Sequence, residues 1–244
     1  MTKRVRKSGE VEFVYDLKDQ KNGIMVISER KGVVFQANRS FAFLSESASL
    51  ETEIFTGELD MPLEKAWRPA LKEIFPLLRK QDQALLFAIL AMFLVPEIAK
   101  YGLLFVGEKG SCKSSNLLAV RDIFYPSSDR LGGHRGTALN LFVSVVATGE
   151  VHLEDNLTKI SSDYSDALCR VINGTTDMHR ALYTNSGVHK MPAQAFVGLT
   201  STGLQGVKED LEDRLIRIEL LRIADGERID DSVLKARFEE HAPL

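Results

Sequence analysis

Residues 103–115 read LLFVGEKGSCKSS. Leu103, Leu104, Phe105 and Val106 form a short apolar run of the kind found in a strand covered on both faces. Gly107, Glu108, Lys109, Gly110, Ser111 and Cys112 then make a turn-rich link, and a helix is predicted from Lys113, with Ser114 and Ser115 in its first turn. A buried strand, a glycine-containing loop and a helix opening on Lys-Ser make a phosphate-binding arrangement. Backbone N–H groups of the loop and the helix N-terminus point at phosphate oxygens. Lys113 neutralises the β and γ phosphates, and the Ser114 hydroxyl is placed to ligate Mg²⁺. ATP and Mg²⁺ are therefore the expected cofactors. The usual spacing is G-x-x-x-x-G-K-[ST], and Cys112 stands where its last glycine belongs. Cysteine is small and is tolerated there if its backbone angle is unstrained. The bland alternative, a Gly/Ser turn entering a helix by chance, does not account for the buried strand before it.

Beyond this segment, strands and helices alternate. Strands are expected over 102–106, 151–153, 195–199 and 215–221, and helices over 113–124 and 164–172. Residues 142–146 are an apolar stretch whose type the pattern leaves open. Alternation of this kind predicts an α/β fold, a mainly parallel sheet flanked by helices. Upstream, Val11, Phe13 and Tyr15 alternate with polar residues, and short apolar runs follow at 24–27, 33–35 and 41–44. Asn22-Gly23 and Lys31-Gly32 supply turns between them. Residues 1–60 read as a small β-rich region. Helical spacing takes over at Pro62, with Leu63, Trp67, Leu71 and Ile74 or Phe75 on one face, and Asp82 can cap a second helix running to Val95. Residues 61–98 thus read as a helical linker or collar, and 99–244 as the core, its C-terminal helical lid absent or cut short.

The chain has 244 residues and a net charge of −3. That length suits one α/β domain with a small appendage, and the charge excludes a uniformly basic nucleic-acid coat but not a local patch. Lys3, Arg4, Arg6 and Lys7 make such a cluster, read as a frayed, solvated terminus in preference to a DNA-touching arm. Cys112 and Cys169 share no metal or disulfide spacing. The longest apolar run, residues 85–95, is too short to span a bilayer and too far from the start for a signal peptide. It reads as a buried helix, and the location expected is cytoplasmic, without a membrane partner.

Three further segments carry chemistry. An ATPase needs acids at a strand end, to hold the metal's water shell and to orient the attacking water. Glu154 and Asp155, closing the apolar strand that begins at Val151, supply both. Asp155 is expected to be the magnesium-side acid or the water activator, Glu154 taking the other role, and the order of the two stays open. The strand at 195–199 runs into Thr200, Ser201 and Thr202, hydroxyls able to bond a γ-phosphate or the attacking water, or else ordinary turn residues. Arg214 opens an alternating strand, where it can reach a neighbouring subunit's γ-phosphate or pair with Asp210 or Asp213. Arg217 is the weaker candidate. Between these, Asn185-Ser186-Gly187 reads as the turn of a hairpin with His189 and Lys190 at or beside its tip. A lysine there contacts nucleic-acid phosphates without reading sequence, unless the hairpin is a solvated loop.

Taken in order, these segments resemble the superfamily 3 helicases, a branch of the AAA+ ATPases, and the ATPases of phage and mobile-element primase-helicase replication proteins. The likeness covers about residues 60 to 240. It places Walker A at 107–114, Walker B at 151–155, motif C at 199–202, the pre-sensor hairpin at His189 and Lys190, and the arginine finger at Arg214. It implies a P-loop AAA+ fold and ATP hydrolysis by a homo-oligomer, a hexameric ring whose channel takes single-stranded DNA. The departures are Cys112 for glycine, which bears on nucleotide affinity, and Thr200 or Ser201 for the asparagine of motif C, which bears on hydrolysis. The reading is an ATP-driven DNA helicase or translocase of a phage or mobile element. Its alternatives are an AAA+ switch or loader acting on a protein partner, and an assembly module that binds ATP without hydrolysing it.

Overall fold

The computed structural model describes residues 2–6, 8–17, 23–39, 63–93, 95, 100–134, 136–148, 151–180, 188–222 and 230–241. In chain order its elements are β1 (Thr2–Val5), β2 (Val11–Asp16), β3 (Gly23–Ser28), β4 (Gly32–Ala37), α1 (Leu63–Ile74), α2 (Lys80–Phe93), β5 (Gly102–Val106), α3 (Lys113–Phe124), α4 (Ala138–Thr148), β6 (Val151–Lys159), α5 (Ser162–Asn173), β7 (Thr175–Arg180), β8 (Val188–Ala193), β9 (Phe196–Gln205), α6 (Glu209–Glu212), β10 (Leu215–Glu219) and α7 (Asp231–His241). They fall into two compact units. One holds residues 1–98, 110–130 and 221–244, the other 99–109 and 131–220.

In the first unit, β1 to β4 form an antiparallel meander in sequence order. Alternation puts Val14, Ile24 and Val26 on its buried face. The expectation of a frayed terminus is corrected here: Thr2–Val5 pairs with β2, from Thr2 opposite Val14 to Val5 opposite Val11. Arg6 of the same cluster has a structural use as well, forming an ion pair with the buried Glu12. The expected run at 41–44 lies outside the described residues. α1 buries Ala70, Leu71 and Ile74, followed by Phe75, and the half-buried Trp67 stacks on Phe87 of α2 at 4.4 Å between centroids. Asp82 is not the cap expected of it, because α2 already starts at Lys80. α2 is also not wholly buried: Leu86, Ile89 and Leu90 face inward while Leu85 is 39% exposed. α7 packs on α1 and α3, with Arg237 3.7 Å from Glu73.

The second unit is built on a four-stranded parallel sheet in the order β10-β5-β9-β6. β5 is buried at all five positions, as its continuous apolar run requires. Gly102 is confined by its packing: a Cβ there would lie 2.7 Å from Leu215 Cδ2 and 3.1 Å from Ile172 Cδ1. α4 and α5 cover the sheet with Leu141, Phe142, Val145, Tyr164, Leu168 and Ile172. The open stretch at 142–146 is therefore helix. Ser161 caps α5, its hydroxyl accepting from the Tyr164 N–H at 3.2 Å. β7 and β8 form the expected hairpin apart from this sheet, its connection at 181–187 lying outside the described residues. The α/β class, the parallel sheet flanked by helices and the N-terminal β-rich region are all present.

Candidate nucleotide site

β5 ends at Val106, and residues 107–112 lead to α3, whose first residue is Lys113. The Gly107 N–H donates to the Ser201 carbonyl at 3.2 Å, anchoring the start of the loop to the neighbouring strand. Gly110 has φ +85° and Cys112 φ +55°, ψ +29°, with Ser111 between them outside the positive-φ set. Alternating handedness of this kind turns successive backbone N–H groups toward one concavity, which suits an anion. Cys112 is thus in the left-handed region that favours glycine, contrary to the unstrained angle its presence was expected to need. Left-handed backbone costs a non-glycine residue roughly 1–2 kcal/mol. The Cys112 carbonyl accepts from the N–H of Asn116 at 2.9 Å and from its side-chain amide at 2.8 Å. Lys113 and Ser111 are buried. Beyond the helix, Arg121 ties down the following loop through the carbonyls of Ser127 and Asp129, each at 2.7 Å.

The acidic pair and the polar strand end come together in the second unit, while residues 110–115 belong to the first. β6 and β9 register Leu153 with Gly198 and Glu154 with Leu199, then Leu157 with Ser201. β6 therefore takes three steps where β9 takes two. Asp155 and Asn156 together face Thr200, forming a bulge, and Asn156 turns left-handed at φ +57°. The Thr200 hydroxyl closes it. Thr200 donates to Asp155 Oδ1 at 2.5 Å and accepts from the Asn156 N–H at 2.8 Å. The Ser201 hydroxyl donates to the Leu157 carbonyl at 2.5 Å and accepts from the Gly203 N–H at 2.9 Å. Both hydroxyl residues are fully buried.

Glu154 has partners that the sequence did not point out. Its carboxylate is fully buried. Tyr164 of α5 donates to Oε1, His152 Nε2 lies 3.1 Å from the same oxygen, and His134 Nδ1 lies 3.4 Å from Oε2. The His134 ring also meets Tyr164 edge-on at 4.4 Å between centroids. Burial opposes ionisation of Glu154. Hydrogen bonds from His152 and Tyr164, the charge of His152 and the contact with His134 outweigh it, and the carboxyl is held below its ordinary 4.5. His152 was legible in principle, two residues before Glu154 and so on the same face of the strand. No sequence signal joins Tyr164 or His134 to them.

Arg214 follows α6, its carbonyl accepting from the Gly102 N–H at 2.8 Å. Its Nε is buried without a hydrogen-bond partner among the described residues, and no ion pair to Asp210 or Asp213 occurs among them. Arg217 instead points along an exposed strand face to Glu219, 3.2 Å away. His189 and Lys190 lie on β8, opposite His179 and Met178, beside the connection and not in it. No cluster of three or more His, Cys, Asp or Glu able to hold a metal ion occurs among the described residues, and no helix among them is long and apolar enough to cross a membrane.

No curated protein matches the chain. Among solved structures, a JCV helicase bound to a thiazolopyridinyl-phenoxyphenyl acetamide is 14% identical, with a TM-score of 0.46 over 75% of this chain and 52% of that one. The C-terminal region of NrS-1, in an A-form apo structure, is 12% identical with a TM-score of 0.47 over 94% of this chain and 64% of that one. The chain thus spans between half and two thirds of the length of these two. The family described as actinomycete integrative conjugative element replication protein matches residues 72–244, well over half of the sequence, and the chain belongs to that family of mobile-element replication proteins.

Proposed function

We propose that this replication protein is an ATP-hydrolysing AAA+ motor that forms a ring and moves or unwinds DNA. The observation that carries the reading is the left-handed Cys112 between β5 and Lys113. A non-glycine residue is held in a glycine conformation at the loop position where the phosphate-binding pattern has its last glycine. By residue chemistry, Gly107, Glu108, Lys109, Gly110, Ser111, Cys112 and Ser115 are assigned to the phosphate cradle, Lys113 to the positive charge, and Ser114 and Asp155 each to the kind of oxygen ligand that Mg²⁺ takes. Mg²⁺ would draw off charge from the transferred phosphoryl group. The acidic pair Glu154 and Asp155 supplies the carboxylate chemistry that hydrolysis needs, and Thr200 sets the aim of Asp155. Arg214, which makes no ion pair to Asp210 or Asp213 among the described residues, is assigned to a neighbouring subunit's nucleotide. His189 and Lys190 of the hairpin contact the phosphates of single-stranded DNA in the channel of a hexamer.

The test is ATP turnover with and without single-stranded DNA, together with the mass of the assembly in nucleotide. Lys113→Ala is expected to abolish turnover, and Lys190→Ala to remove the stimulation by DNA while ATP affinity stays as it was. A Lys190→Ala variant that behaves as the wild type does points to a loader acting on a protein partner, and a wild type that DNA neither binds to nor stimulates refutes the helicase reading. One observation favours the non-hydrolysing alternative: the hydroxyls of Thr200 and Ser201 are both engaged by protein groups. Phosphate release that requires Mg²⁺ and Asp155 excludes it.

A further inference from the structure

We propose that Glu154 is a positioning residue, which fixes Asp155 in place, and that Asp155 alone of the pair meets the attacking water and the metal's water shell. This rests on the ATPase reading above and assigns the two roles that the sequence left open.

Glu154 is closed in from three directions. Its own strand supplies His152, α5 supplies Tyr164, and the segment beside the sheet edge supplies His134. A carboxylate has about four acceptor positions, and these contacts take three of them inside a fully buried site. A carboxylate so placed has little left to offer a water molecule. Reaching one would break a hydrogen bond to a charged group, a loss of about 1.5–3 kcal/mol each.

The same contacts lead directly to Asp155. Gly132 pairs with Glu154 as an isolated parallel bridge, and its carbonyl accepts from the Asp155 N–H at 2.9 Å. His134 follows two residues later on that segment. The Glu154 carboxylate therefore ties β6, α5 and residues 132–134 into one body immediately before the bulge. The Asp155 backbone is held by Gly132 and its side chain by Thr200. Asp155 is less deeply buried than Glu154, and it lies where the strand leaves its regular course.

Four variants test this: Glu154→Gln, Glu154→Ala, Tyr164→Phe and Asp155→Asn. The measurements are kcat and KM for ATP, binding of a fluorescent ATP analogue, and amide hydrogen exchange at 155–156. Glutamine keeps the shape and an acceptor for Tyr164, so Glu154→Gln is expected to lower kcat by no more than about tenfold. Glu154→Ala and Tyr164→Phe are expected to lower kcat with KM unchanged and to speed exchange at 155–156, the alanine by more. Asp155→Asn is expected to lower kcat by about a hundredfold or more, as loss of a transition-state contact does, without speeding exchange elsewhere. Rescue by glutamine is what a reacting carboxylate cannot show. If Glu154→Gln is as inactive as Asp155→Asn, or if Glu154→Ala leaves both kcat and exchange unchanged, the proposal is overturned. A wild-type protein that binds the analogue but releases no phosphate refutes the ATPase reading instead, and exchange at 155–156 still decides whether Glu154 is the anchor. Should Glu154→Ala not fold, Tyr164→Phe carries the same comparison.

Discussion

Replacing Cys112 with glycine is expected to stabilise the protein, although it removes a half-buried side chain from the loop. The backbone at Cys112 stands at φ +55°, ψ +29°, where a Cβ crowds the following carbonyl at a cost of about 1–2 kcal/mol. Glycine removes that cost. It also gives the unfolded chain more freedom, which takes back about 0.4–1 kcal/mol. The net expectation is a gain of about 0.5–1 kcal/mol. Alanine keeps the Cβ and is expected to change little, whereas Cys112→Val adds a branched side chain at a position hostile to it and is expected to lose about 1 kcal/mol or more. Urea unfolding followed by tryptophan fluorescence suits the comparison. Trp67 is the single tryptophan in the sequence and lies in the compact unit that holds Cys112. The ordering glycine, then alanine and cysteine together, then valine is the signature of backbone strain. A glycine variant less stable than alanine refutes the reasoning, because the Cys112 side chain would then be contributing more than its backbone costs.

Thr200→Val is expected to destabilise by about 2–4 kcal/mol, since it removes a bond to a carboxylate and leaves the Asn156 N–H without its acceptor; Thr200→Ser, which keeps the hydroxyl, is expected to lose about 1 kcal/mol, and equal losses in urea unfolding would count against the bridge. Arg214→Ala is expected to cut turnover by about 10³-fold. Mixing it with inactive Lys113→Ala subunits is expected to restore part of the activity, because such a pair rebuilds sites from one intact lysine and one intact arginine; no recovery would place Arg214 in its own subunit's site. Glu154 gives stability a pH dependence of known sign. Its folded carboxyl lies below the ordinary 4.5, so the unfolded chain binds the extra proton first and the stabilisation, fully present above that value, fades as pH falls through the folded one. Unfolding free energy measured from pH 6 downward is expected to drop by up to about 1.4 kcal/mol per unit in that window, and Glu154→Gln to flatten the slope.

The parts of the fold that could be read from sequence are those where one pattern ran unbroken. β5 is a continuous apolar strand, and α3 begins where the loop pattern ends, so both were placed to the residue. β6 and β9 were read too short for physical reasons that concern the site. The extra residue at 155–156 puts Leu157 three positions after Glu154, and the period of two on which a strand is recognised breaks there. In β9, Thr200 and Ser201 look like a strand end because they are polar, yet both are buried with their hydroxyls engaged. Local residue type says nothing about a partner 45 positions away. The same limit hid Tyr164 and His134. Arg6 is exposed, as a terminal cation was expected to be, but its ion pair with the buried Glu12 cannot be seen in a short charge run.

Backbone strain adds an argument independent of motif matching. Among the described residues only two that are not glycine have positive φ, Cys112 and Asn156. One ends the loop before Lys113, and the other follows the acidic pair. Chance would scatter such outliers through turns, where left-handed residues are common. Here each sits inside a segment that sequence chemistry had already singled out, and each is fixed by specific bonds, Cys112 through Asn116 and Asn156 through Thr200. A conformation that costs stability persists when the surroundings over-determine it, and such residues gather where geometry serves function. The two strained residues bear on the departures from the familiar pattern. At 112 the loop keeps a glycine shape without glycine. At 200 a threonine gives its hydroxyl to Asp155 and closes the bulge. The costly angle at Cys112 suits a loop shaped for an anion, which turnover and passive binding require alike, so the choice between them rests on the groups around Asp155 and Thr200.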